Sequence, residues 1–573
     1  MRIVSVRRIS QIFFFSVFLW FCLVTTVGTA WWQLRGWPVN WLLELAPLTA
    51  VATVLATGTL YGNLLWALVV IVFTLLLGRF FCGFVCPLGA LNQFTGWLGQ
   101  RGQAVLARVE ANRYRPAQAI KYYILFFFLA LAFMGSVQTG FLDPLPLVYR
   151  SVNLAVLPLT AAGLTGPRFY ASVWLIGLLF LGIVALNLWR PRFFCRFVCP
   201  LGALLGLLGQ LSPWRIGKRD KGACGDCRIC EEYCEGACRP AGGIILGECV
   251  LCLNCLNRCP AGRITFAGQP SAAGEAPLPD LSRRSLIVSG AGLAVAAMWN
   301  VGGLSGNNRN PSLIRPPGSL DEDRFLSRCI RCGQCMRVCP SNIIQPALLE
   351  SGVQGLWSPL VNYRLGRSGC QITCVACGHV CPTAAIRPLS INEKLGLGEF
   401  ASQGPIRLGT AFVDRNRCLP WVMDRPCLVC HEVCPVSPKA IFIRTIFKDI
   451  RGGHSLAARV QGEAVELAEA PLWQVNLASG DYYLGLAGEP ESRLRRIIGA
   501  LGLRLSLEAP LTEEILAAET QVDIRVRLER PYMDPDRCIG CGMCENECPV
   551  VGLRAIRVYS ENETRAAAGR LLI

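Results

Sequence analysis

Four long apolar stretches open the chain, at about residues 10–30, 60–79, 121–142 and 172–190. Each is near the roughly 20 residues that a helix needs to cross a bilayer. The polar positions between them carry an uneven charge. Arg2, Arg7 and Arg8 precede the first stretch, and Arg101, Arg108, Arg113, Arg115 and Lys121 lie between the second and third. Arg190, Arg192 and Arg196 follow the fourth. The other connections are poorer, with Arg35, Arg150 and Arg168. The positive-inside rule therefore predicts that the amino terminus, the 80–120 loop and the chain just after 190 are cytoplasmic. Segments 39–58 and 145–165 are also apolar, but proline and polar residues interrupt them. They read as re-entrant or interfacial pieces at the outer side, with six or seven crossings as the alternative.

After residue 214 the pattern changes. Residues 215–268 are compact and polar, and 269–282 are rich in Ala, Pro, Gly and Ser, as a linker is. Ser282-Arg283-Arg284-Ser285-Leu286 then leads an apolar stretch through Trp299. It reads as a fifth transmembrane helix or as a twin-arginine export signal used internally; either places the carboxyl half outside. Within about 445–530, Val465-Glu-Leu, Trp473-Gln-Val-Asn-Leu and Val522-Asp-Ile-Arg-Val-Arg-Leu alternate with the period of strands. With helices expected near 489–501 and 511–520, this segment predicts a small α+β insert that covers its neighbours or forms a docking surface.

Composition changes the picture most through cysteine. Of 573 residues, 30 are Cys and only three are His. Five runs follow C-x2-C-x2-C-x3-C or a near variant: Cys224 to Cys234, Cys249 to Cys259, Cys329 to Cys339, Cys370 to Cys381 and Cys538 to Cys548. A sixth, Cys418 then Cys427 to Cys434, keeps its last three positions at the usual spacing. This is the pattern of bacterial-type iron–sulfur ligation, in which the fourth thiolate of one run completes the cluster of its partner run. A disulfide framework does not require tight triplets repeated in register, and zinc commonly uses two separated C-x2-C pairs. His379, His431 and His454 lie outside the apolar spans and no C-x-x-C-H occurs, so haem is not expected in this chain. His379 and His431 sit inside runs, where they cap or meet solvent, or donate to a cluster sulfur. The formal charge of +17 does not point to nucleic acid. Seven four-iron centres of about −2 each would nearly offset it.

Arg79-Phe-Phe-Cys82-Gly-Phe-Val-Cys86-Pro-Leu-Gly-Ala-Leu91 recurs as Arg192 to Leu204, with Gly83 alone changed, to Arg196. Residues i and i+4 share a helix face, and both motifs end inward-running spans. Cys82, Cys86, Cys195 and Cys199 thus supply four thiolates, enough for one cluster at the inner surface; a pair of thiol sites with a redox or assembly role is the alternative. In 215–268, cross-ligation predicts Cys224, Cys227, Cys230 and Cys259 around one centre. Cys249, Cys252 and Cys255 hold another, with Cys234 or Cys238 as the fourth donor. Cys22 reads as a small apolar residue.

The membrane half, with four helices, two Cys-x3-Cys-Pro motifs and a cytoplasmic two-cluster domain, resembles the NapH-type membrane ferredoxins. Residues 319–573, with sixteen cysteines in four groups of four and the export-like signal, resemble the NapG/MauM-type periplasmic ferredoxins. The expected fold class is an α-helical membrane domain plus α+β ferredoxin-like [4Fe-4S] domains. The domains run 1–214, 215–268 (cytoplasmic), 269–318 and 319–573 (periplasmic), in a bacterial inner membrane. The second resemblance implies that outer runs pair with each other and inner runs likewise. That joins Cys329, Cys332 and Cys335 with Cys548, and Cys538, Cys541 and Cys544 with Cys339. It also joins Cys370, Cys374 and Cys377 with Cys434, and Cys418, Cys427 and Cys430 with Cys381. Six [4Fe-4S] clusters follow, and a seventh at Cys82, Cys86, Cys195 and Cys199. The resemblance implies electron transfer between the quinol pool or a cytoplasmic donor and a periplasmic redox partner, as a subunit working with periplasmic or membrane-bound oxidoreductase subunits. The alternatives are a quinol dehydrogenase in its own right and an anchor for assembling a redox complex.

Overall fold

The computed structural model describes residues 3–25, 38–160, 167–220, 224, 227–276, 292, 295, 310, 312–472, 475–511 and 516–565. The twin-arginine segment and fifth helix expected at 282–299 lie outside the described residues, Gly292 and Val295 excepted. The chain divides into two compact units. One comprises 1–365 with 373–406, and the other 366–372 with 407–573. The second cysteine run beyond residue 319 is therefore split: Cys374, Cys377 and Cys381 belong to the first unit, with all of Cys329 to Cys339, and Cys370 to the second.

The first unit is helical through residue 209, with principal helices Ile3–Val24, Pro47–Thr57, Ala67–Leu77, Pro87–Gln100, Ile120–Phe133, Pro144–Ser151, Val173–Trp189 and Pro200–Gly209. Among the described residues, two helical stretches, Ile3–Val24 and Val105–Phe133, are long and apolar enough to cross a membrane. Gly62–Leu77 and Val173–Trp189 are apolar but shorter. Gly78, at φ 83°, stops the former before Arg79. The helices are turned inside out relative to those of a soluble bundle. Val173–Trp189 exposes Trp174, Leu178, Leu181 and Trp189 while burying Asn187, whose amide donates to Asn92 Oδ1 at 2.9 Å. That pattern suits a lipid surround, where polar groups must find partners inside the protein.

Each cysteine-rich piece adds the same small frame. In 215–276, strand Arg215–Lys218 pairs antiparallel with Ile264–Ala267, and helices Ile229–Glu232 and Asn254–Arg258 pack together. In 313–406, strands Ile344–Pro346 and Pro359–Val361 pair, and helices Gln334–Val338 and Ala376–His379 pack. In the second unit, Thr410–Val413 pairs with Ile556–Tyr559, and Val429–Glu432 packs on Met543–Glu547.

The expected α+β insert is instead a sheet. Seven strands run in the order 441–449, 516–533, 456–461, 464–467, 504–507, 495–501, 482–486. The long strand Leu516–Met533 also pairs with Tyr482–Leu486, from Val522 to Val526, and so closes six of the strands into a ring. The helix expected at 489–501 is strand Arg495–Leu501, and 516–520 of the second expected helix begins the long strand. Tertiary pairing overrides local preference here. Ile497, Val522, Ile524, Val526 and Leu528 enter one closed core with Val460, Val465, Leu484 and Leu505. A helix would leave the ring open.

Candidate metal centres

The runs share a backbone that their spacing does not disclose. In three of them the residue before the second cysteine and the residue after it adopt left-handed conformations: Leu251 and Leu253, Arg331 and Gly333, Gly540 and Gly542. Two reversals in five residues wrap the chain around a point and turn its amides inward. The amide two residues beyond a cysteine donates to that sulfur at Cys249, Cys252, Cys329, Cys332, Cys538 and Cys541. Leucine and arginine pay steric strain in this region, of order 1–3 kcal/mol each, which a packed centre can offset. Burial pushes the Cys230, Cys418, Cys430 and Cys541 thiols up to about 12. Buried thiolates held so closely call for a cationic core among them. The donor set fits iron–sulfur clusters: thiols in quartets with peptide amides aimed at the sulfurs.

In 215–276, Cys230 lies within electrostatic reach of Cys224, Cys234 and Cys259, and Cys255 of Cys252, Cys249 and Cys234. The two candidate fourth donors are side by side. Cys234 and Cys238 sulfurs are 3.5 Å apart, and Cys238 bonds both Cys234 and Cys249.

In the membrane half, Cys86 and Cys199 cap the helices Pro87–Gln100 and Pro200–Gly209, accepting from Gly89 N at 3.4 Å and Gly202 N at 3.2 Å. Cys86 lies within electrostatic reach of Cys82 and Cys195, and Cys199 of all three others. Asn92 donates to Cys195 at 3.3 Å. The repeat thus brings its four thiols to one place in related poses.

The arginines of the repeat connect this place to the Cys249 run. Arg192 donates to Cys82 O at 3.2 Å, pairs with Glu235 at 2.9 Å, and lies within electrostatic reach of Cys195 and Cys252. Its counterpart Arg79 donates to Gly247 O at 2.7 Å and lies near Cys82 and Cys199, while Cys249 lies near Arg79. Arg79 is 1% exposed, and its Nε and Nη2 have no hydrogen-bond partner. A buried guanidinium in this state calls for negative charge beside it. The one altered repeat position is explained by the same docking. A Cβ on Gly83 would stand 2.5 Å from Val250 O. Arg196 reaches the carbonyls of Cys234 at 3.2 Å and Glu235 at 2.9 Å, and Asn112 Oδ1 at 2.7 Å. Burial opposes ionisation of Glu235, but Arg192 and Arg7 outweigh it and hold the carboxyl down to about 2. Glu248 is bound by Lys121, by Gln118 at 3.1 Å and by Tyr122 at 3.3 Å. None of these roles is visible in the sequence, although Arg79 and Arg192 stand at matching places in the repeat. A cavity of about 1130 Å³ adjoins, its lining including Arg7, Gln11, Gln93, Arg192 and Glu235 together with Ile12, Phe15, Phe94 and Trp97.

The fourth-ligand partners beyond residue 319 differ from those the family resemblance implies. Cys329, Cys332 and Cys335 line one cavity with Cys381, not Cys548. Cys538, Cys541 and Cys544 gather with Cys434, not Cys339. Cys418, Cys427 and Cys430 gather with Cys548, not Cys381. Helix packing is the reason. The third cysteine of each run rides on a short helix, and the run whose helix packs against it supplies the fourth thiol. Gln334–Val338 packs on Ala376–His379, and Val429–Glu432 on Met543–Glu547. His379 Nε2 bonds Leu389 O at 3.2 Å and His431 Nδ1 bonds Ile441 O at 2.7 Å, both to main chain.

The Cys329 run is sunk into the membrane half. Ile330 and Cys332 share one core with Phe18, Cys22 and Tyr149. Val39 and Asn153, from the two interrupted apolar segments, form part of the seat: Gln334 donates to Val39 O at 3.4 Å, and Asn153 to Gln334 Oε1 at 3.0 Å. Arg150 donates to Gly140 O at 3.1 Å and Arg331 O at 3.3 Å, Arg331 to Val137 O at 2.6 Å, and Arg168 to Arg337 O at 2.6 Å. A Cβ on Gly140 would stand 2.0 Å from Ile330 O, so only glycine permits the approach.

Comparison with known proteins points to iron–sulfur domains in both parts of the chain. Models described as 4Fe-4S binding domain match residues 59–104 with 172–219, and 530–555, and one described as 4Fe-4S dicluster domain matches 322–386. The chain is 33% identical over 172 residues to the methylamine utilization ferredoxin-type protein MauM of Methylorubrum extorquens, covering 28% of this chain and 70% of that one. It belongs to that family of ferredoxin-type proteins. It is 31% identical over 256 residues to YccM of Escherichia coli, named as an electron transport protein, covering 42% of this chain and 66% of YccM. It is 32% identical over 143 residues to the ferredoxin-type protein NapG of Escherichia coli, covering 25% of this chain and 56% of NapG. The chain spans 66% of YccM and 32% of NirI of Paracoccus denitrificans. No solved structure matches. The chain thus carries 4Fe-4S-binding domains together with helices of membrane length.

Proposed function

We propose that the chain is a membrane-crossing electron wire that joins a NapH-like half to a NapG/MauM-like half. Electrons enter from the quinol pool or a cytoplasmic donor and leave to a periplasmic oxidoreductase. The residues that would hold [4Fe-4S] centres are the two groups of 215–276 and the three quartets described beyond residue 319, with a sixth expected on the Cys370 run and a seventh at Cys82, Cys86, Cys195 and Cys199; these would supply one-electron transfer. The chain's own part is to bury, space and counter-charge them.

The observation that carries this reading is the helix Ile3–Val24, which meets a cysteine-rich module near each end. Arg7 pairs with Glu235 at 3.1 Å, while Phe18 and Cys22 share a core with Ile330 and Cys332. At 1.5 Å rise per residue, Arg7 and Cys22 stand about 22 Å apart along the axis, most of a hydrocarbon core about 30 Å thick. The outer module dips into the membrane half, which shortens the gap a cluster at the inner face would leave. The charge asymmetry of the loops supports a cytoplasmic 215–268 and a periplasmic 319–573.

The test is reconstitution in liposomes loaded with a membrane-impermeant oxidant and given an impermeant reductant outside. Oxidant reduction that depends on inserted protein is expected; its absence with fully loaded protein overturns the wire. Iron near about 28 per chain matches seven four-iron centres, and about 24 leaves the membrane quartet without one.

The cavity beside Arg192 favours a second reading, a quinol dehydrogenase in its own right. Its lining pairs apolar side chains with hydrogen-bonding groups, as an isoprenoid-tailed ring requires. Purified protein reduced by quinol alone, and losing that reduction on Gln93→Leu, supports it; no reduction without a partner protein sinks it.

A further inference from the structure

The third outer run departs from the others by its long first spacing, Cys418 to Cys427. Those residues do not coil idly. Leu419–Val422 forms a helical turn that starts on Cys418, with Trp421 N–H bonding Cys418 O at 3.0 Å, and Leu419, Pro420 and Pro531 line the same cavity as Cys418, Cys427, Cys430 and Cys548. Trp421 lies between two guanidiniums, Arg415 at 4.5 Å and Arg530 at 4.7 Å from its ring centre. Tyr532 meets Trp421 edge-on at 5.4 Å and carries Arg444 at 4.7 Å. Met423 and Val422 beside them are 55% and 46% exposed. Nearby acids are engaged elsewhere: Asp424 with Lys448 at 2.7 Å and Asp414 with Arg557 at 3.1 Å.

Stacking uses the faces of a guanidinium and leaves its in-plane N–H fork available for carboxylates. Rings also hold the arginines in place, so less side-chain entropy is lost on binding. Exposed apolar residues one helical turn from Cys418 (Val422 N–H bonds Cys418 O at 3.0 Å), next to rings that carry cations, have the composition of a transient electron-transfer interface.

We propose that an acidic single-electron-transfer protein docks on the face formed by Arg415, Trp421, Tyr532, Arg444 and Arg530, and exchanges electrons with the site of Cys418, Cys427, Cys430 and Cys548. This rests on the electron-wire reading and adds the chemistry of the partner. One electron leaves the reduced centre, which is oxidised by one, and the acceptor is reduced by one; no bond or proton moves.

The test uses full-length, cluster-loaded protein, reduced and freed of reductant, mixed with acidic plastocyanin or basic cytochrome c as probe acceptors. Plastocyanin is expected to be reduced faster, with a rate that falls as salt rises. The double variant Arg415→Glu/Arg444→Glu should lose about tenfold of that rate, within the range of electrostatic steering, and the milder Arg415→Gln/Arg444→Gln about threefold. Reversal of two exposed arginines on the β-ring, Arg459→Glu/Arg504→Glu, should change it less than twofold, although the net charge falls equally. Faster reduction of cytochrome c, or equal effects of the two reversals, overturns the docking face while leaving the wire intact. Protein without reducible iron overturns both.

Discussion

The two cysteine-rich modules of the first unit, 215–276 and 313–406 (inner and outer in the proposed topology), sit on the helical bundle by different chemistry. The inner one adds buried ion pairs to the carbonyl bonds that Arg79 and Arg196 make there. Glu235 is held by Arg7 and Arg192 at 3.1 and 2.9 Å, and Glu248 by Lys121, a lysine with no exposed surface. The outer one has guanidiniums turned to backbone carbonyls and rings instead. Arg150 and Arg331 bond main-chain oxygens, with Arg150 over Trp357 at 4.6 Å and Arg331 over Phe141 at 4.8 Å. A carboxylate pair fixes register by charge, whereas carbonyl caps satisfy loop backbone that would otherwise be stranded in an apolar seat. The inner seat should therefore be sensitive to loss of one partner, and the outer seat to loss of donors.

The largest effect should follow Glu248→Ala. Lys121 is then left buried without its counter-charge, at a cost of about 3–5 kcal/mol. Thermal melting should shift down and protease should cut between 215 and 276. Lys121→Met with Glu248→Leu should recover much of that loss, because two apolar groups replace the pair; a double variant no better than the single would contradict an ion-paired seat. Next comes Arg150→Ala, which strands the carbonyls of Gly140, Phe141 and Arg331, at about 1–3 kcal/mol for each group left unsatisfied. Arg150→Lys should not restore it, since one ammonium lacks the planar fork; hydrogen exchange over 329–339 reads this directly.

Gly83→Ala should cost about 1–3 kcal/mol as an overpacked contact. Its signature is increased exchange at Val250 and Leu251 with the 329–339 amides unchanged, which separates the two seats. The smallest effect is expected for His379→Gln. The ring bonds a main-chain oxygen, so stability should fall by about 1 kcal/mol or less, and cluster midpoint potentials should stay in place. A moved potential would give the ring a direct bond to a sulfur.

The positions of the thiols were legible from spacing, because each run folds locally around its own centre. The partnership between runs was not. Cys381 and Cys548 are equally well followed by proline, and nothing local distinguishes which quartet either joins. The strands 464–467 and 522–528 could be read from alternation, whereas Arg495–Leu501 could not; its Arg-Arg-Ile-Ile order also suits a helix. Arg79, Arg192 and Arg196 were visible as loop charge, but their bonds to Gly247, Glu235 and Cys234 depend on a fold that brings residues 79–196 against 234–250.

The amino-acid order alone determined which thiols fall at the spacing of iron–sulfur ligation and which stretches are apolar enough for a membrane, since both follow from neighbours within a few residues. Which thiols share a centre, which buried arginine answers which carboxylate, and how far the outer module sinks toward the inner one were decided by packing between distant segments. Those choices depend on shape and on where charge can be left unsolvated, quantities that exist only once the chain is folded.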